Sequence, residues 1–599
     1  MSRTAWMWLA WSAIAGGAGL YGWVWRQAEK KGRAWLEWGL VALVALVSAL
    51  SVWGHEPWRD ELHTWLQARE MGLGALWKEM ACEGHFLPWY LLLWPLAHVG
   101  APVWTMGVMS WGLNTLAVGW LARRSPLMGW EKAVAGVSCV FLYVNPVVSR
   151  CYVLVPLALF GLASLWGRRD ERPVAFGLWV ALLANTHLYL EGAAVALSGV
   201  YAWENILRRK DGKGWRECGR QWAGLGVMAV GGALALAQVL PSLWVSDVVP
   251  GPAQTWRQDA VCFFQPCISR CWAVAAVSGL VLLGAEAWRK DKGVFWVYGA
   301  GVGYMWFFSV LLYGANIPNR GLLWWPAMLF AAWALAGRGG GGAWRRVLAV
   351  VLAGLSIVRP DMTLNDWRGE YDPLRGACRW IAERYGKDAE VWINGEDFAT
   401  EPAAVYLSNV KDWRTGKHAE PISWGKGEHK VHPFRACASA VFRACPERES
   451  FLALVSTWQF SGLTGEDFAH PGVEAEREWA QAVVPQAVAL VLVRVERWGR
   501  EWGDFGVARY QAGDRAGAVG AWKRAVEEDG DAWEAMNNLA WAALEGGRLE
   551  EARVWIDRAM AHKAARASKG VRDTAVAIQR AEGVLESSRA NHSMPMSSR

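Results

Sequence analysis

AWLEWGLVALVALVSALSVW, residues 34–53, is an apolar stretch whose only charged residue is Glu37. An α-helix needs about 20 predominantly apolar residues to cross the ~30 Å hydrocarbon core of a bilayer. Similar segments recur at 5–25, 34–53, 103–122, 130–147, 151–167, 174–186, 188–207, 222–245, 272–288, 294–313, 321–337 and 344–358. The pattern predicts a polytopic α-helical membrane protein with about 12 spans over residues 1–358.

The composition indicates a folded chain of several units. Of the 599 residues, 53% are hydrophobic and only 20% are charged, which excludes an intrinsically disordered protein. The length also excludes a small disulfide-stabilised scaffold and allows roughly three or four domains of ordinary size.

Charge divides the chain into two parts. Residues 1–358 contain 30 Lys and Arg against 19 Asp and Glu, whereas residues 359–599 contain 32 against 36. Because the basic excess lies between apolar segments, its expected partner is membrane lipid rather than nucleic acid. The basic clusters lie at 26–33, 123–124, 168–172, 208–216, 289–292 and 338–346.

These clusters predict the orientation, because Lys and Arg are retained on the cytoplasmic side. Each gap between clusters holds two apolar segments, except that the gap before Arg123 also contains residues 86–101. That stretch is short and contains Pro88 and Pro95, so we expect an outer juxtamembrane segment that does not cross. The predicted location is the cytoplasmic (inner) membrane, multi-pass, with the C-terminal domains extracytoplasmic.

Beyond residue 358 the chain becomes polar. Short β-like runs at 390–394, 451–457 and 487–495 alternate with helical stretches such as 374–385. This alternation predicts an outer α/β domain over residues 359–498.

An internal repeat with an offset of 34 residues follows. Its first copy comprises Trp502, Phe505, Gly506, Arg509, Gly513, Ala518, Trp522 and Ala525, and its second Met536, Leu539, Ala540, Ala543, Gly547, Ala552, Ile556 and Ala559. The pattern resembles tetratricopeptide repeats, in which paired helices pack closely. We therefore expect a short α-helical repeat domain with a capping helix over residues 499–587, a protein partner on the repeats, and a disordered tail over 588–599.

The chemistry is concentrated in HEPWRDELHTWLQAREMGLGALWKEMACEGH, residues 55–85, directly after the quoted span. Asp60 and Glu61 are adjacent carboxylates, and Asp60 is the candidate general base toward an acceptor hydroxyl. Glu83 and His85 at the far end are residue types that hold a divalent metal cation against a phosphate leaving group. The alternative interpretation of the Asp60–Glu61 pair is a solvated turn.

WRDE at 58–61 and EGHFLPWYLLL at 83–93 resemble the first-loop signature of GT-C membrane glycosyltransferases, the group of protein mannosyltransferases and aminoarabinose transferases. SRCYVL at 149–154, ANTHLY at 184–189 and PNRGLL at 318–323 are similar to loop and span starts of bacterial members. The resemblance covers about residues 34–358.

This resemblance implies an inverting sugar transfer from a polyprenyl-phosphate donor at the outer membrane face. It matches the family's catalytic acid to Asp60, with Glu61 beside it, and matches metal- or phosphate-proximal positions to Glu83 and His85. The sequence departs from the family in two places. Phe86–Leu87 replaces a pair that usually contains Pro, and no acid follows Arg150.

Further residues are candidates for substrate binding. Arg150 and Arg320 lie at predicted outer span ends, where each either binds a lipid phosphate or extends its charge to the interface. His187 is predicted to share a helix face with Glu191, as a functional or a buried structural pair. The tryptophans expected to stack on a sugar are Trp58 and Trp89.

Two other motifs favour structural interpretations. His429 and His432 have ligand spacing but no accompanying Cys or acid, which favours a surface loop. Cys437 and Cys445 are the expected disulfide pair among the cysteines placed outside.

The predicted function is that of a polyprenyl-phosphate-sugar-dependent glycosyltransferase, and two alternatives stay open. A non-catalytic assembly protein would recruit partners through its repeats, and the missing second acid is consistent with it. A transporter would use Glu191 and His187 as an intramembrane relay, although no inverted repeat is visible.

Overall fold

A computed structural model describes most of the chain, in segments. They are residues 3–28, 34–83, 85–210, 219–240, 270–309, 322–338, 343–368, 373–394, 400–413, 415–421, 441, 450–456, 473–480, 487–494, 502–528 and 530–592. These residues fall into two compact units, Met1–Asp372 and a second unit that begins at Pro373.

The first unit is helical. Its helices are α1 (Arg3–Ala28), α2 (Ala34–Gly54), α3 (Arg59–Glu70), α4 (Leu73–Glu83), α5 (Leu87–His98), α6 (Trp104–Arg124), α7 (Gly129–Val137), α8 (Asn145–Val147), α9 (Leu154–Leu165), α10 (Pro173–Ala184), α11 (Glu191–Lys210), α12 (Gly219–Val239), α13 (Arg270–Lys290), α14 (Lys292–Phe307), α15 (Trp324–Ala336), α16 (Ala343–Ser356) and α17 (Pro360–Arg368). A π-helical turn precedes α8, and 3-10 turns flank α9. Each apolar segment predicted from the sequence overlaps at least one of these helices.

Five helical stretches are long and apolar enough to cross a membrane. They are Ala34–Gly54, Cys151–Arg168, Gly219–Val239, Trp272–Lys290 and Ala343–Leu364. Among the described residues, these stretches indicate a helical membrane protein. The predicted number of about 12 spans is larger, because helices such as α10 and α15 are shorter than a straight crossing needs.

Ion pairs gather at one end of the bundle, here called the basic end. Arg123, at the end of α6, contacts Glu37 near the start of α2, and Lys132 of α7 contacts the same carboxylate. Further pairs at this end are Arg346–Glu131, Arg345–Glu286, Arg338–Asp291 and Arg169–Glu204. Together they connect the starts of α2, α7, α14 and α16 with one another and with the ends of α6, α9, α11, α13 and α15.

A second set of polar contacts marks the opposite end, here called the site end. Gln238 near the end of α12 donates to Asn185, which follows α10, and accepts from the backbone N–H of Leu87 at the start of α5. His55, which follows α2, contacts Asp366 of α17. α2 therefore runs from the basic end to the site end.

The α10–α12 contact is among the closest in the bundle. A Cβ added at Gly231 would lie 2.3 Å from the Cβ of Ala181, and one at Gly177 would lie 2.6 Å from the carbonyl oxygen of Gly224. Small residues allow helix backbones to approach in this way within a membrane.

The second unit begins with α18 (Pro373–Tyr385) and contains a five-stranded mixed sheet. Its strands are β1 (Val391–Ile393), β2 (Val410–Asp412), β3 (Ser450–Ser456), β4 (Val473–Ala480) and β5 (Ala487–Arg494), in the order β2-β1-β3-β5-β4. β1 is parallel to β2 and β3, whereas β5 is antiparallel to β3 and β4.

The three predicted β-like runs correspond to β1, β3 and β5, whereas β2 and β4 were not predicted. Both missed strands are edge strands. β4, with the sequence VEAEREWA, is largely polar, and β2 has three residues, so neither has the apolar signal of a central strand.

Paired helices follow the sheet. They are α19 (Trp502–Gln511), α20 (Arg515–Glu528), α21 (Trp533–Glu545), α22 (Leu549–Ala561), α23 (Lys563–Ala567) and α24 (Lys569–His592). Gly513 and Gly547 have φ values of +87° and +72° at the turns within the two pairs, a conformation that favours glycine. α24 continues through the first residues of the predicted tail, and residues 593–599 lie outside the described part.

The chain divides later than the predicted boundary at residue 358. α17 belongs with the membrane unit, because Asp366 bonds to His55 and to Tyr143. A polar helix therefore packs at the site end of the bundle.

We predict that Gly231→Leu destabilises the folded protein by about 1–3 kcal/mol, because the added side chain must displace Ala181. Gly232→Leu is the matched control, since nothing lies within 4 Å of a Cβ at Gly232. The measurement is the thermal unfolding temperature of the full chain in detergent. Equal unfolding temperatures for the two variants would contradict the α10–α12 packing.

Candidate functional site

A chain of buried charged groups lies at the site end. Glu61 is completely buried, and both of its carboxylate oxygens accept hydrogen bonds. Oε2 accepts from His55 Nε2 at 2.9 Å and from the Trp58 backbone N–H at 3.1 Å, while Oε1 accepts from the Ser149 N–H at 2.7 Å.

His55 connects Glu61 to Asp366. Its Nδ1 donates to Asp366 Oδ2 at 2.8 Å, and the same oxygen accepts from the Tyr143 hydroxyl at 3.0 Å. Burial disfavours the imidazolium, but Glu61 and Asp366 outweigh burial and raise the pKa of His55 from 6.5 to about 10. His55 is therefore a buried cation between two carboxylates at neutral pH.

Asp60 differs from Glu61 in its environment. It lies in the first turn of α3, where the helix dipole favours a carboxylate. Its side chain keeps 17% of its surface exposed, and Oδ1 lies 3.3 Å from Nε of Arg59. Arg59 in turn lies over the ring of Trp58, with 5.8 Å between its guanidinium carbon and the ring centre. Asp60 is thus the carboxylate of the adjacent pair that reaches the surface.

Glu83 occupies a buried polar pocket against α3. Its Oε1 accepts from His63 Nε2 at 3.1 Å and from Gln67 Nε2 at 2.7 Å, and its Oε2 lies 3.8 Å from His85 Nδ1. Burial would raise the pKa of Glu83, but His63 and His85 hold it well below the ordinary value. Glu83 is consequently an anion tied to α3.

Arg150 joins the loop residues into one network. It is only 6% exposed and donates to the carbonyl oxygen of Asp60 and to Thr64 Oγ1, the latter at 3.0 Å. Its Nη2 lies 3.1 Å and 3.2 Å from the two ring nitrogens of His85. Burial opposes the charge on Arg150, but Asp60 raises its pKa above the ordinary value.

His187 lies on the far side of His85. The two residues form an isolated antiparallel β-bridge, and their ring centres are 5.0 Å apart. His187 has φ −159° and ψ 140° and precedes a 3-10 turn, whereas Glu191 begins α11. The predicted shared helix face of His187 and Glu191 is therefore wrong, because His187 is extended.

Among the described residues, one group of side chains could together hold a metal ion. His85, Cys151 and His187 place one ligand atom each within 4.8 Å of one another. However, the Arg150 guanidinium lies against His85, and His187 Nδ1 already accepts the backbone N–H of Tyr189. A positive guanidinium beside these atoms opposes a divalent cation. A divalent metal ion at Glu83 and His85 stays a prediction.

The structure brings most of the predicted site residues together. One network of contacts connects Asp60, Glu61, Glu83, His85, Arg150 and His187. Trp58 lies at its partly exposed edge, whereas Trp89 is 1% exposed and presents no open face to a sugar. Arg320, His429, His432, Cys437 and Cys445 lie outside the described residues.

Sequence reasoning missed several members of the network. His63, Thr64 and Gln67 follow Asp60 at intervals of three and four residues, which is the signature of one helix face. That spacing could have identified them. No local signal pairs His55 with Asp366, because the two residues are 311 positions apart.

No protein-family model and no curated protein matches this chain. The assignment of a function therefore depends on the site itself.

We predict that His55→Gln lowers the free energy of unfolding by about 3–5 kcal/mol at pH 7, since it leaves two buried carboxylates without their cation. In the wild-type protein the protonated His55 stabilises the folded state. This contribution is complete below the unfolded-state pKa of histidine, about 6.5, and is lost as the pH rises through the folded-state pKa of about 10, where His55 loses its proton.

The measurement is thermal unfolding of the full chain in detergent between pH 7 and pH 10.5. His55→Gln should remove much of the decline in that interval, whereas His98→Gln, at an exposed histidine of α5, should retain it. An undiminished decline in His55→Gln would show that the buried charge is not on His55.

Proposed function

We propose that the protein is a membrane glycosyltransferase. In this proposal it moves a sugar from a polyprenyl-phosphate donor to an acceptor at the outer face of the cytoplasmic membrane. The observation that carries the proposal is the position of Asp60. Its carboxylate is partly exposed and lies at one end of a bundle that contains candidate membrane-spanning helices. Asp60 belongs to α3, and the buried contact between Glu61 and His55 holds this helix in place. The resemblance of WRDE and EGHFLPWYLLL to the GT-C first loop is the second support.

The proposed reaction is an inverting displacement with Asp60 as the general base. As the acceptor oxygen attacks the anomeric carbon, its proton passes to the Asp60 carboxylate, and the bond from that carbon to the phosphate oxygen breaks. The sugar leaves the lipid, and the polyprenyl phosphate keeps the bonding electrons. Glu61 is a poorer candidate base, because both of its oxygens are hydrogen-bonded in the interior.

The phosphate of the donor needs a cation near Asp60. We assign this role to Arg59, whose side chain is 14% exposed and contacts Asp60. Arg150 would instead position the base, since its guanidinium holds the Asp60 carbonyl and His85 beneath the surface. We assign stacking against the sugar ring to Trp58, which lies beside Arg59.

The bundle geometry supports the twelve-span topology of this proposal. Basic residues of the clusters at 123–124, 168–172 and 338–346 pair with carboxylates at the basic end. Residues 86–101 do not require a thirteenth crossing. α5 begins at the site end, beside Gln238, and the following helix α6 ends at the basic end, at Arg123, so α6 itself must start at the site end.

The second unit would then lie on the extracytoplasmic side of the membrane. We propose that α19–α22 form two tetratricopeptide-like repeats that bind a protein partner. The 34-residue offset and the glycine turns at Gly513 and Gly547 support this assignment. The transporter alternative loses its proposed relay, because His187 is not on the helix of Glu191.

We expect Asp60→Asn to lower the turnover of a polyprenyl-phosphate sugar by about 10²–10⁴-fold, since the amide cannot accept the proton. Its unfolding temperature should stay close to that of wild type, because the side chain is partly exposed. Glu61→Gln should lower the unfolding temperature, because it weakens a buried contact with a cation.

The assay is sugar release from a lipid-linked donor by the purified full chain, and Glu70→Gln at the exposed end of α3 is the control. Normal turnover by Asp60→Asn would exclude Asp60 as the base. A wild-type chain without transfer or hydrolysis on any polyprenyl-phosphate sugar would favour the assembly-protein alternative.

The topology predicts which positions a membrane-impermeant thiol reagent can reach. In a background without reactive native cysteines, Gly72→Cys and Gly530→Cys should label in intact cells, and Lys213→Cys only after permeabilisation. A Cβ at Gly72 or Gly530 meets nothing within 4 Å, so a cysteine fits there without strain from neighbours. Labelling of Gly530→Cys only after permeabilisation would overturn the outward placement.

A further inference from the structure

A large cavity opens between helices at the basic end, away from Asp60. It has a volume of about 1080 Å³ and is bounded by α2, α6, α9, α10 and α15. This volume lies just above the ~300–1,000 Å³ range of small-molecule sites. The cavity plays no part in the proposed sugar transfer, and its chemistry is of a different kind.

Four arginines line the cavity: Arg123, Arg124, Arg168 and Arg172. Arg123 is bonded to Glu37 at 2.6 Å. Within the described part of the chain, Arg124, Arg168 and Arg172 have no acidic partner, and all three are exposed. The cavity therefore carries three guanidinium charges that no described carboxylate neutralises, and such groups match the oxygens of a phosphate.

The rest of the wall is largely apolar and aromatic. Trp120 and Trp179 meet at 5.3 Å between ring centres, and Trp333 lies against the same space. Leu116 and Trp38 line the cavity and are 58% and 57% exposed, so the apolar wall continues onto the outer surface of the bundle. That surface faces acyl chains in a membrane.

We propose that this cavity binds an anionic diacyl phospholipid. The guanidinium groups of Arg124, Arg168 and Arg172 hold the headgroup phosphate, and the acyl chains lie along the Trp120–Trp179 wall. The combination of unneutralised arginines and an open apolar wall fits an amphiphile. A soluble phosphate would leave the wall unused, and an uncharged lipid would leave the arginines without a counter-charge.

The position of the cavity separates this ligand from the proposed sugar donor. The donor reacts at Asp60, at the site end, whereas the arginines lie at the basic end, where Arg123 contacts Glu37. Under the predicted orientation the basic end faces the cytoplasmic leaflet, whose anionic lipids attract basic pockets. The site would hold its lipid whether or not the protein transfers a sugar.

The test is lipid retention by the purified full chain in detergent, measured by native mass spectrometry during titration with phosphatidylglycerol. We expect one tightly retained phosphatidylglycerol and weaker retention of phosphatidylcholine. Replacing Arg124, Arg168 and Arg172 together by Gln should weaken phosphatidylglycerol binding on the order of 100-fold, the loss expected for three basic residues at an anionic surface.

A matched variant removes three charges at the same end without touching the cavity. It replaces Arg289, Lys292 and Arg345 by Gln, and it should leave the tight lipid in place. Equal loss in both triple variants, or equal retention of phosphatidylcholine and phosphatidylglycerol, would overturn the proposal. Each result would indicate general attraction or apolar adhesion in place of a built site.

Two competitors distinguish the sources of the phosphate. Inorganic phosphate that displaces the lipid at similar concentration would overturn the lipid assignment in favour of a soluble anion. Stronger retention of polyprenyl phosphate than of phosphatidylglycerol would overturn the assignment of a diacyl lipid.

Should the Gln triple variant not fold, the Lys triple variant replaces it. Lys keeps the charge but loses the planar fork, so weaker retention is expected and unchanged retention would contradict phosphate binding by the guanidinium groups.

Discussion

The arrangement of the site end depends on the buried charges of Glu61, His55 and Asp366. Removing an ion from water costs several kcal/mol, so the two carboxylates are tolerated in the interior because the imidazolium lies between them and because each accepts a further hydrogen bond. His55 follows α2, Glu61 lies in α3 and Asp366 lies in α17, so one set of contacts holds three distant segments together. The side chains of consecutive residues in an α-helix are rotated by about 100° around the helix axis. Because Glu61 points into the interior, Asp60 points toward the surface.

The two ends of the bundle use charge differently. At the site end the charges are buried and paired with one another, which fixes the relative positions of α2, α3 and α17. At the basic end most carboxylates pair with one arginine or lysine each, for example Glu131 with Arg346. Three arginines around the cavity, Arg124, Arg168 and Arg172, make no ion pair with a described carboxylate, so this end keeps positive charge for a ligand. The proposed enzyme would thus carry its reaction and its lipid contact at opposite ends of the same helices.

The second unit owes its cohesion to apolar packing. A single cluster of buried residues extends from the sheet, through Trp392 and Phe451, to the helical pairs, through Trp522 and Ala540. The repeats therefore share their core with the sheet. This continuity is a tertiary property, since the sheet and repeat patterns are separate in the sequence, and it explains why contacts group the predicted α/β and repeat domains into one unit.

Features that repeat or cluster locally along the chain were accessible from the sequence. Apolar length identified the helices, the 34-residue offset identified the paired helices around Gly513 and Gly547, and the adjacency of Asp60 and Glu61 drew attention to the loop. The tertiary structure decided which of the two carboxylates is buried, that Arg150 lies beneath Asp60, and that His187 meets His85 outside any helix. The tertiary structure also shows that α17 belongs to the first unit, Met1–Asp372. The physical reason is that burial and ion pairing depend on which segments meet in space, and His55 and Asp366, 311 residues apart, share no local pattern that could reveal their contact.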